Sequence, residues 1–212
     1  MPRIHPDRLD TLIAVSEGQD GYFTTEQARD AGLSLQALVG LEQAGHLDRE
    51  QYGIYRLARW PSSKRPGLWR TFLWATRIDP RATFSHRTAL ELHDVSDINP
   101  SKIDVTFPLG VRARSTKPPA VVTHRRHLTE GDVEEHDGLR VTTLYRTLLD
   151  LATDNLAHDA VAGVLDRGTS LDLSRDQLQQ VRAIYELSDD TRQYLARAFS
   201  ADRHTLVRAN GQ

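Results

Sequence analysis

Cysteine is absent from the 212 residues, and so is any long run of apolar residues. The first absence excludes disulfide bonds, thiolate chemistry and metal sites with cysteine ligands. The second leaves no predicted span of a lipid bilayer, and the opening MPRIHPDRLD lacks the continuous apolar stretch of a secretory signal. We therefore expect a cytoplasmic protein without a membrane partner.

Sequence motifs of the common catalytic sites are also missing. There is no phosphate-binding glycine loop, no HExxH zinc motif and no GxSxG nucleophile turn. Asp104 lacks the downstream acid and lysine of a nuclease centre. His86 and His93 are predicted to face the same way on one helix and His124 and His127 form a second pair, but nothing in the sequence brings the pairs together. We expect no enzymatic activity, no cofactor and no metal site.

Charge is distributed unevenly along the chain. Residues 1–60 carry 6 basic and 9 acidic side chains, residues 61–128 carry 12 and 5, and residues 129–212 carry 9 and 15. A basic segment between two acidic ones suits contact with an anionic partner, either nucleic acid or an acidic protein. The alternative is that the segments neutralise one another within a folded domain.

The N-terminal third is predicted to begin with three helices. The first opens at Pro6 and ends at Gly18, and a capping box of Thr24 and Gln27 opens the second. Ser34 caps the third, which is predicted to bury five side chains: Leu35, Leu38, Val39, Leu41 and Ala44. Two short helices joined by a tight turn make a helix-turn-helix.

Two strand-like segments follow, at residues 46–49 and 54–57, and predict a β-hairpin wing. In a winged helix-turn-helix, the second helix of the motif enters the major groove and the wing lies over phosphates. The candidate DNA-binding residues are Gln36, Gln43, Arg49, Gln51, Tyr52 and Arg56. Because the third helix has no basic residue, we expect weak, steeply salt-dependent binding. The alternative is a winged helix kept for protein contact or structure.

A stretch rich in proline, serine and glycine at residues 60–67 predicts a linker. It separates a winged helix-turn-helix domain at 1–60 from a C-terminal mixed α/β domain at 61–212, which gives an α/β (α+β) fold class overall. The β-rich segments 103–107 and 120–124 are predicted to pair as a hairpin. Five cations on this hairpin are the candidate partner-binding residues: Arg112, Arg114, Lys117, Arg125 and Arg126. A solvated loop is the alternative.

Four stretches of the sequence resemble the AbiEi-type antitoxin family. GYFTTEQARDAGLS at 21–34 and YGIYRLA at 52–58 are similar to its winged helix-turn-helix. SHRTALELH at 85–93 and TTLYRTLLDLA at 142–152 are similar to signature stretches of its antitoxin domain. The resemblance implies a non-enzymatic antitoxin of a type IV-like toxin–antitoxin system, which represses its own operon and neutralises a nucleotidyltransferase toxin of AbiEii type.

The signature stretches of the antitoxin domain contain five candidate site residues: Ser85, His86, Arg87, Arg146 and Asp150. We expect Ser85 to cap a helix rather than to act as a nucleophile with His86 as its base, because neighbours at a helix start usually point apart. Arg146 and Asp150, four apart on a helix, are expected to form a structural pair or to anchor the loop before them.

Two other functions remain open at this point. One is a DNA-binding transcription regulator whose C-terminal domain senses a ligand, without a toxin partner. The other is an enzyme that modifies a toxin's target or reverses that modification, although the sequence lacks a visible catalytic set. A nucleotidyltransferase reading frame beside the gene would favour the antitoxin over the ligand sensor.

Overall fold

The computed structural model describes residues 6–61, 65, 67–112, 116–167, 171 and 173–187. The chain divides into two compact units, Met1–Arg77 and Ile78–Gln212. Helices and β-sheet occur in both units, so the predicted α/β fold class is confirmed. No helix in the described part of the chain is long and apolar enough to cross a membrane.

The first unit folds as a winged helix-turn-helix followed by one further helix. Its elements in chain order are α1 (Pro6–Glu17), β1 (Tyr22–Thr24), α2 (Thr25–Asp30), α3 (Leu35–Gln43), β2 (Leu47–Gln51), β3 (Ile54–Leu57) and α4 (Leu68–Thr76). The strands form an antiparallel sheet in the order β1-β3-β2. The helix-turn-helix and the β2–β3 wing therefore lie where the sequence predicts them, and β1 is a strand that the prediction missed.

Local contacts explain where the two short helices begin. Thr24 Oγ1 accepts a hydrogen bond from the Gln27 backbone N–H, and Gln27 Oε1 accepts one from the Thr24 backbone N–H, which is the predicted capping box. Ser34 Oγ accepts from the Ala37 N–H at 3.1 Å. These contacts satisfy donors that the first turn of a helix leaves unpaired.

An apolar core holds the first unit together. Its buried members are Leu12, Phe23, Ala28, Leu33, Ala37, Leu38, Leu47 and Tyr55. The turn of the wing requires a glycine, because Gly53 has a φ of +70° and a Cβ there would lie 2.7 Å from the Arg77 guanidinium. The positive φ is what favours glycine here, since the end of the Arg77 side chain could move away from a Cβ.

The buried face of α3 differs from the prediction at three positions. Leu38 is fully buried, but Leu35 is 58% exposed and Val39 is 45% exposed. Since α3 has apolar side chains on more than one side, the helical period alone does not identify the side that faces the core. Ala44, the C-cap of α3, is exposed as well. The prediction that Leu35, Val39 and Ala44 are buried is therefore wrong.

Helix α4 lies with the first unit. It contacts β1 and β3, and Arg70 forms an ion pair with Glu50 at 3.0 Å. The predicted boundary between residues 60 and 61 assigns this helix to the second domain, whereas its contacts assign it to the unit before it. An apolar helix that follows a linker can pack on either side, and the linker composition does not say which.

The second unit is a mixed sheet with helices. Its elements are β4 (Thr83–Phe84), α5 (His86–Leu92), β5 (Ile103–Phe107), β6 (Val121–Arg125), a 3-10 turn (Glu130–Asp132), β7 (Val133–His136), β8 (Leu139–Thr142), α6 (Leu144–Thr153), α7 (His158–Arg167) and α8 (Arg175–Tyr185). The strand order is β6-β5-β4-β8-β7. The β4–β8 and β5–β6 pairs are parallel, and the β4–β5 and β7–β8 pairs are antiparallel.

The parallel pairing of β5 with β6 corrects the predicted hairpin. Ile103 lies opposite Val121 and Phe107 lies opposite Arg125, so the two strands run in the same direction. Residues 108–120 form the connection, and a crossover of this kind needs about a dozen residues. The prediction of a hairpin with basic residues at its tip is therefore wrong. Arg125 is the last residue of β6, whereas Lys117 lies before the start of that strand.

Candidate functional site

Helix α3 presents a mixed apolar and amide surface to solvent. Leu35, Gln36, Val39 and Gln43 are exposed, and their spacing places them on one side of the helix. A glutamine amide can pair with the edge of an adenine, and an apolar side chain can contact a thymine methyl group. Together with two wing residues they form what we call the recognition surface: Leu35, Gln36, Val39, Gln43, Arg49 and Tyr52.

The wing adds a cation and an aromatic ring to the recognition surface. Tyr52 is 82% exposed at the turn, and the Arg49 guanidinium lies 5.9 Å from the centroid of its ring. Gln51 is half-buried in β2 beside a register shift in the β2–β3 pairing. The tip of the wing is thus exposed and able to contact a phosphate backbone.

The Arg56 side chain bonds to other residues of the first unit and does not extend freely into solvent. Its Nε donates to the Asp20 carbonyl at 3.2 Å, and its Nη2 donates to the Pro61 carbonyl at 2.7 Å. The guanidinium also lies 5.2 Å from the centroid of the Tyr22 ring. These contacts give Arg56 a structural role, and its contact with DNA stays a prediction.

Polar side chains meet in the interior of the second unit. We call this group the polar network, and its members are Ser85, His86, Asp104, Thr106, His124, Arg126, Arg146, Asp150 and Asp154. They come from the start of α5, from β5, from the end of β6 and from α6 with its C-terminal cap. The two signature stretches of the resemblance are therefore neighbours in space, while Arg87 lies half-buried on the first turn of α5.

His86 lies at the centre of this network. Its Nδ1 is 2.9 Å from Ser85 Oγ and its Nε2 is 3.2 Å from Asp154 Oδ2. Thr106 Oγ1 donates to Ser85 Oγ at 2.7 Å, which directs the Ser85 proton to His86 Nδ1. In this arrangement the Nε2–H of His86 donates to Asp154.

The backbone of His86 explains why two predictions are wrong, namely that Ser85 caps α5 and that the Ser85 and His86 side chains point apart. His86 has a left-handed φ of +52°, a conformation that costs a non-glycine residue about 1 kcal/mol. Ser85 occupies the N-cap position, but its side chain accepts no hydrogen bond from the helix. Because the left-handed turn redirects the His86 ring towards Ser85, the two side chains do not point apart and Ser85 does not cap α5.

His124 stacks on His86, with ring centroids 3.6 Å apart. Its Nε2 lies 2.8 Å from Asp104 Oδ1. Burial lowers the pKa of His124 and outweighs the opposing hydrogen bond to Asp104. Asp104 is 1% exposed, and its Oδ2 has no hydrogen-bond partner among the described residues. The expectation that the histidine pairs stay apart is therefore wrong for His86 and His124.

Two arginines neutralise the carboxylates of α6 and its cap. Arg126 is 5% exposed, and its Nη2 donates to Asp154 Oδ1 at 2.5 Å. Arg146 makes two hydrogen bonds of 3.0 Å to Asp150, which confirms the predicted pair, and a third to the His127 carbonyl. Burial alone would raise the pKa of Asp154, but the hydrogen bond from His86 and the charge of Arg126 lower it below its usual value.

The polar network is closed to reactants in this conformation. Ser85 and His86 are both fully buried, so a substrate atom has no access to the serine oxygen. The hydrogen bonds instead join β5, β6, α5 and α6, which are distant in sequence. We infer that the network fixes the arrangement of these elements, because its buried side chains bond to one another across them, with Asp104 Oδ2 as an acceptor that has no partner among the described residues.

The five candidate partner-binding cations do not share one surface. Arg126 belongs to the polar network, Arg125 donates to the Val111 carbonyl at 3.1 Å and stacks on Phe107, and Arg114 lies outside the described residues. Arg112 and Lys117 are exposed, and Lys117 Nζ also donates to the Val121 carbonyl. Among the described members of the candidate set, only Arg112 and Lys117 are exposed.

Among the residues that the structure describes, two groups of side chains have the composition and spacing of metal ligands. One consists of His86, His124 and Asp154, and the other consists of His93, Glu134 and His136. In the first group, the atoms that approach one another are His86 Nε2, His124 Nδ1 and Asp154 Oδ2. Ser85 bonds the other ring nitrogen of His86, and Arg126 bonds the other oxygen of Asp154. His93 belongs to a different group from His86, because it is the C-cap of α5 and lies beyond its last helical residue.

Comparisons with known proteins support the winged helix and the fold. Residues 10–58 match the family described as "Transcriptional regulator, AbiEi antitoxin", which confirms the predicted resemblance over this part of the chain. The chain is similar in fold to the crystal structure of the RV2827C protein from Mycobacterium tuberculosis, with a TM-score of 0.56 and 16% identity over 85% of this chain and 73% of that one. At that identity the similarity shows the fold alone. No curated protein matches the sequence significantly.

Proposed function

We propose that the protein is a non-enzymatic antitoxin of a type IV-like toxin–antitoxin pair, which represses its own operon through the first unit and neutralises a nucleotidyltransferase toxin through the second. The observation that carries the proposal is the recognition surface, which lies on a winged helix-turn-helix that matches an antitoxin regulator family. Binding to its operator requires that the protein act in the cytoplasm, where that DNA lies.

The recognition surface suggests how the first unit reads DNA. Helix α3 would lie in the major groove with Gln36 and Gln43 towards base edges, while Arg49 and Tyr52 of the wing contact the backbone. Few cations support this contact, since residues 1–60 carry 6 basic and 9 acidic side chains. We therefore propose that base contacts decide where the protein binds and that the total affinity is modest.

The DNA-binding proposal is tested by fluorescence anisotropy with the full chain and the DNA upstream of its gene. A Gln36→Ala variant should weaken binding to that DNA about tenfold, because a side chain paired with a base contributes about 1–3 kcal/mol of discrimination. Its binding to unrelated DNA should not change. The matched control is Gln179→Ala, which removes an exposed glutamine from α8 of the other unit. Equal binding of upstream and unrelated DNA by the unaltered protein would contradict operator recognition.

Neutralisation is assigned to the second unit because residues 85–152 contain both signature stretches of the resemblance. A nucleotidyltransferase holds metal ions and nucleotide phosphates with carboxylates, so its active-site mouth is expected to be acidic. Arg112 and Lys117 are exposed cations that could face it, and such pairs add association rate and orientation. The proposal therefore places the toxin contact near residues 108–120.

Co-expression with the nucleotidyltransferase encoded beside the gene tests this assignment. The Arg112→Glu and Lys117→Glu double variant should protect cells less well than the unaltered chain, while its melting temperature stays the same. Gln36→Ala should protect fully, because it alters the other unit. Full protection by the double variant would exclude this contact, and a gene without a neighbouring toxin would contradict the antitoxin proposal itself.

A cavity in the second unit favours ligand sensing as a second candidate function. It has a volume of about 690 Å³ and is lined by residues of α7 and of the segment after α5, including Asp97, His158, Asp159 and Arg167. Ligand pockets of proteins typically have volumes of about 300–1,000 Å³. Operator binding that depends on a small molecule, without a neighbouring toxin gene, would favour this candidate over the antitoxin.

A further inference from the structure

Three side chains meet at the edge of the second unit's sheet. His93 is the C-cap of α5, and Glu134 and His136 lie on strand β7, two residues apart and hence on the same face. One ligand atom from each residue lies within 4.8 Å of the others. The group belongs neither to the polar network nor to the recognition surface.

The hydrogen bond of His93 determines which ring nitrogen faces this group. His93 Nε2 lies 2.8 Å from the Thr142 carbonyl oxygen, which can only accept, so Nε2 carries the proton. With the proton on Nε2, the lone pair of the neutral ring lies on Nδ1. A histidine that ligates a metal usually donates its other N–H to a carbonyl or carboxylate in this way.

The lone pair of His93 Nδ1 faces a second acceptor. Glu134 Oε1 lies 3.5 Å from Nδ1, and the same oxygen lies 2.7 Å from His136 Nε2. While the His93 ring is neutral, the lone pairs on its Nδ1 and on Glu134 Oε1 repel each other. A cation between these two atoms would attract both of them. In a tetrahedral zinc site, ligand atoms are about 3.3 Å apart, so a small shift of the partly exposed His136 and Glu134 side chains would admit the ion.

We propose that His93, Glu134 and His136 bind a divalent transition-metal ion, with Zn²⁺ as the expected occupant. Two imidazoles and one carboxylate are a ligand set that zinc uses, with the fourth position left to water. Glu134 and His136 are partly exposed, so this position is open to solvent. The ion would join the end of α5 to the edge strand β7.

The other histidine group is a poorer site for an ion. His86 Nδ1 accepts the Ser85 proton, so the ring's own proton is on Nε2, the nitrogen that faces Asp154. Arg126 Nη2 also lies 2.5 Å from the Asp154 carboxylate that would have to bind the metal. The positive guanidinium at that position repels a divalent ion. The group of His93, Glu134 and His136, which we call the edge group, has no arginine contact of this kind among the described ion pairs.

Calorimetric titration of the full chain with Zn²⁺, after treatment with a chelator, tests the proposal. We expect the titration to show an equivalent of zinc that depends on the edge group, and Co²⁺ to give the visible absorption of a tetrahedral site. His136→Gln and Glu134→Gln should each weaken binding about 100-fold, since even loss of an outer partner of a ligand costs about 10–100-fold. Both side chains are partly exposed, so the variants should melt at the unaltered temperature in the presence of chelator.

Two controls separate this site from others on the chain. Glu135→Gln alters the neighbouring carboxylate on the opposite face of β7 and should leave zinc binding unchanged. His124→Gln alters the other histidine group and should also have no effect. The proposal is overturned if the chain binds no zinc, if His136→Gln and Glu134→Gln bind as the unaltered chain does, or if His124→Gln alone abolishes binding.

Discussion

The two units of the chain place their polar groups in opposite ways. In the first unit the core is apolar and the candidate functional side chains, such as Gln36 and Tyr52, lie outside it. In the second unit three carboxylates, two arginines and two histidines of the polar network lie largely inside. Surface variants should therefore change function in the first unit, whereas variants of the network should change stability in the second.

The largest effect should come from breaking the polar network at Arg126. Replacing Arg126 by leucine leaves the Asp154 carboxylate without its closest cation, and removing one partner of a buried ion pair costs about 3–5 kcal/mol. Because Asp154 is partly exposed, we expect a value near 3 kcal/mol, measured by urea unfolding at neutral pH.

Arg112→Leu is the matched control for this prediction. Arg112 is exposed, so the same substitution there should change the free energy of unfolding by less than about 0.5 kcal/mol. A similar small loss for Arg126→Leu would mean that water reaches Asp154 and that the contrast between the two units is weaker than we argue.

The second effect is a loss of stability in mild acid. Burial lowers the folded-state pKa values of His124 and His93 below their ordinary value of 6.5, so the unfolded chain takes up these protons first as the pH falls. The free energy of unfolding, measured with a chelator present, should therefore fall as the pH drops below about 6.5. His124→Gln, whose amide can still donate to Asp104, should show a smaller fall. An equal fall in both proteins would assign the pH dependence to other groups.

Sequence reasoning succeeded where the determining contacts are local. The capping box of Thr24 and Gln27 joins residues three apart, and the Arg146–Asp150 pair joins residues four apart. Both can be read from spacing, because one turn of helix fixes the geometry. The winged helix followed from the Thr24–Gln27 capping box, from the Ser34 cap and from the two strand-like segments on either side of the turn that ends at Gly53.

The polar network could not be predicted in the same way. His86 and Asp154 are 68 residues apart. They belong to α5 and to the C-cap of α6, helices that follow β4 and β8, and local spacing does not show that these two strands pair in parallel. The left-handed backbone of His86 also has only a weak signal in residue type, since histidine adopts a positive φ more often than most residues but still rarely. Ser85 and His86 were recognised as candidates from the family resemblance, whereas their partner Asp154 was missed.

A third and smaller effect is expected for Arg56, which is a structural arginine of the first unit. Arg56→Ala removes two hydrogen bonds to carbonyl groups and the contact with the Tyr22 ring. We expect a loss of about 1–2 kcal/mol in the free energy of unfolding, since such contacts contribute about 1 kcal/mol each and are partly exposed. If stability is unchanged and only DNA binding weakens, Arg56 contacts DNA as the sequence predicts.

The smallest effect on stability should come from Arg49, which shares the wing with Arg56 but is exposed. Arg49→Ala should change the free energy of unfolding by less than about 0.5 kcal/mol. If its guanidinium contacts a phosphate, the variant should bind every DNA sequence more weakly and reduce the slope of log affinity against log salt concentration by about 1. Gln36→Ala should do the opposite, with loss of sequence preference at an unchanged salt slope, because an amide releases no counterion. Anisotropy titrations at several salt concentrations distinguish the two, and an unchanged slope for Arg49→Ala would remove the wing from the DNA contact and leave α3 as the surface that reads the operator.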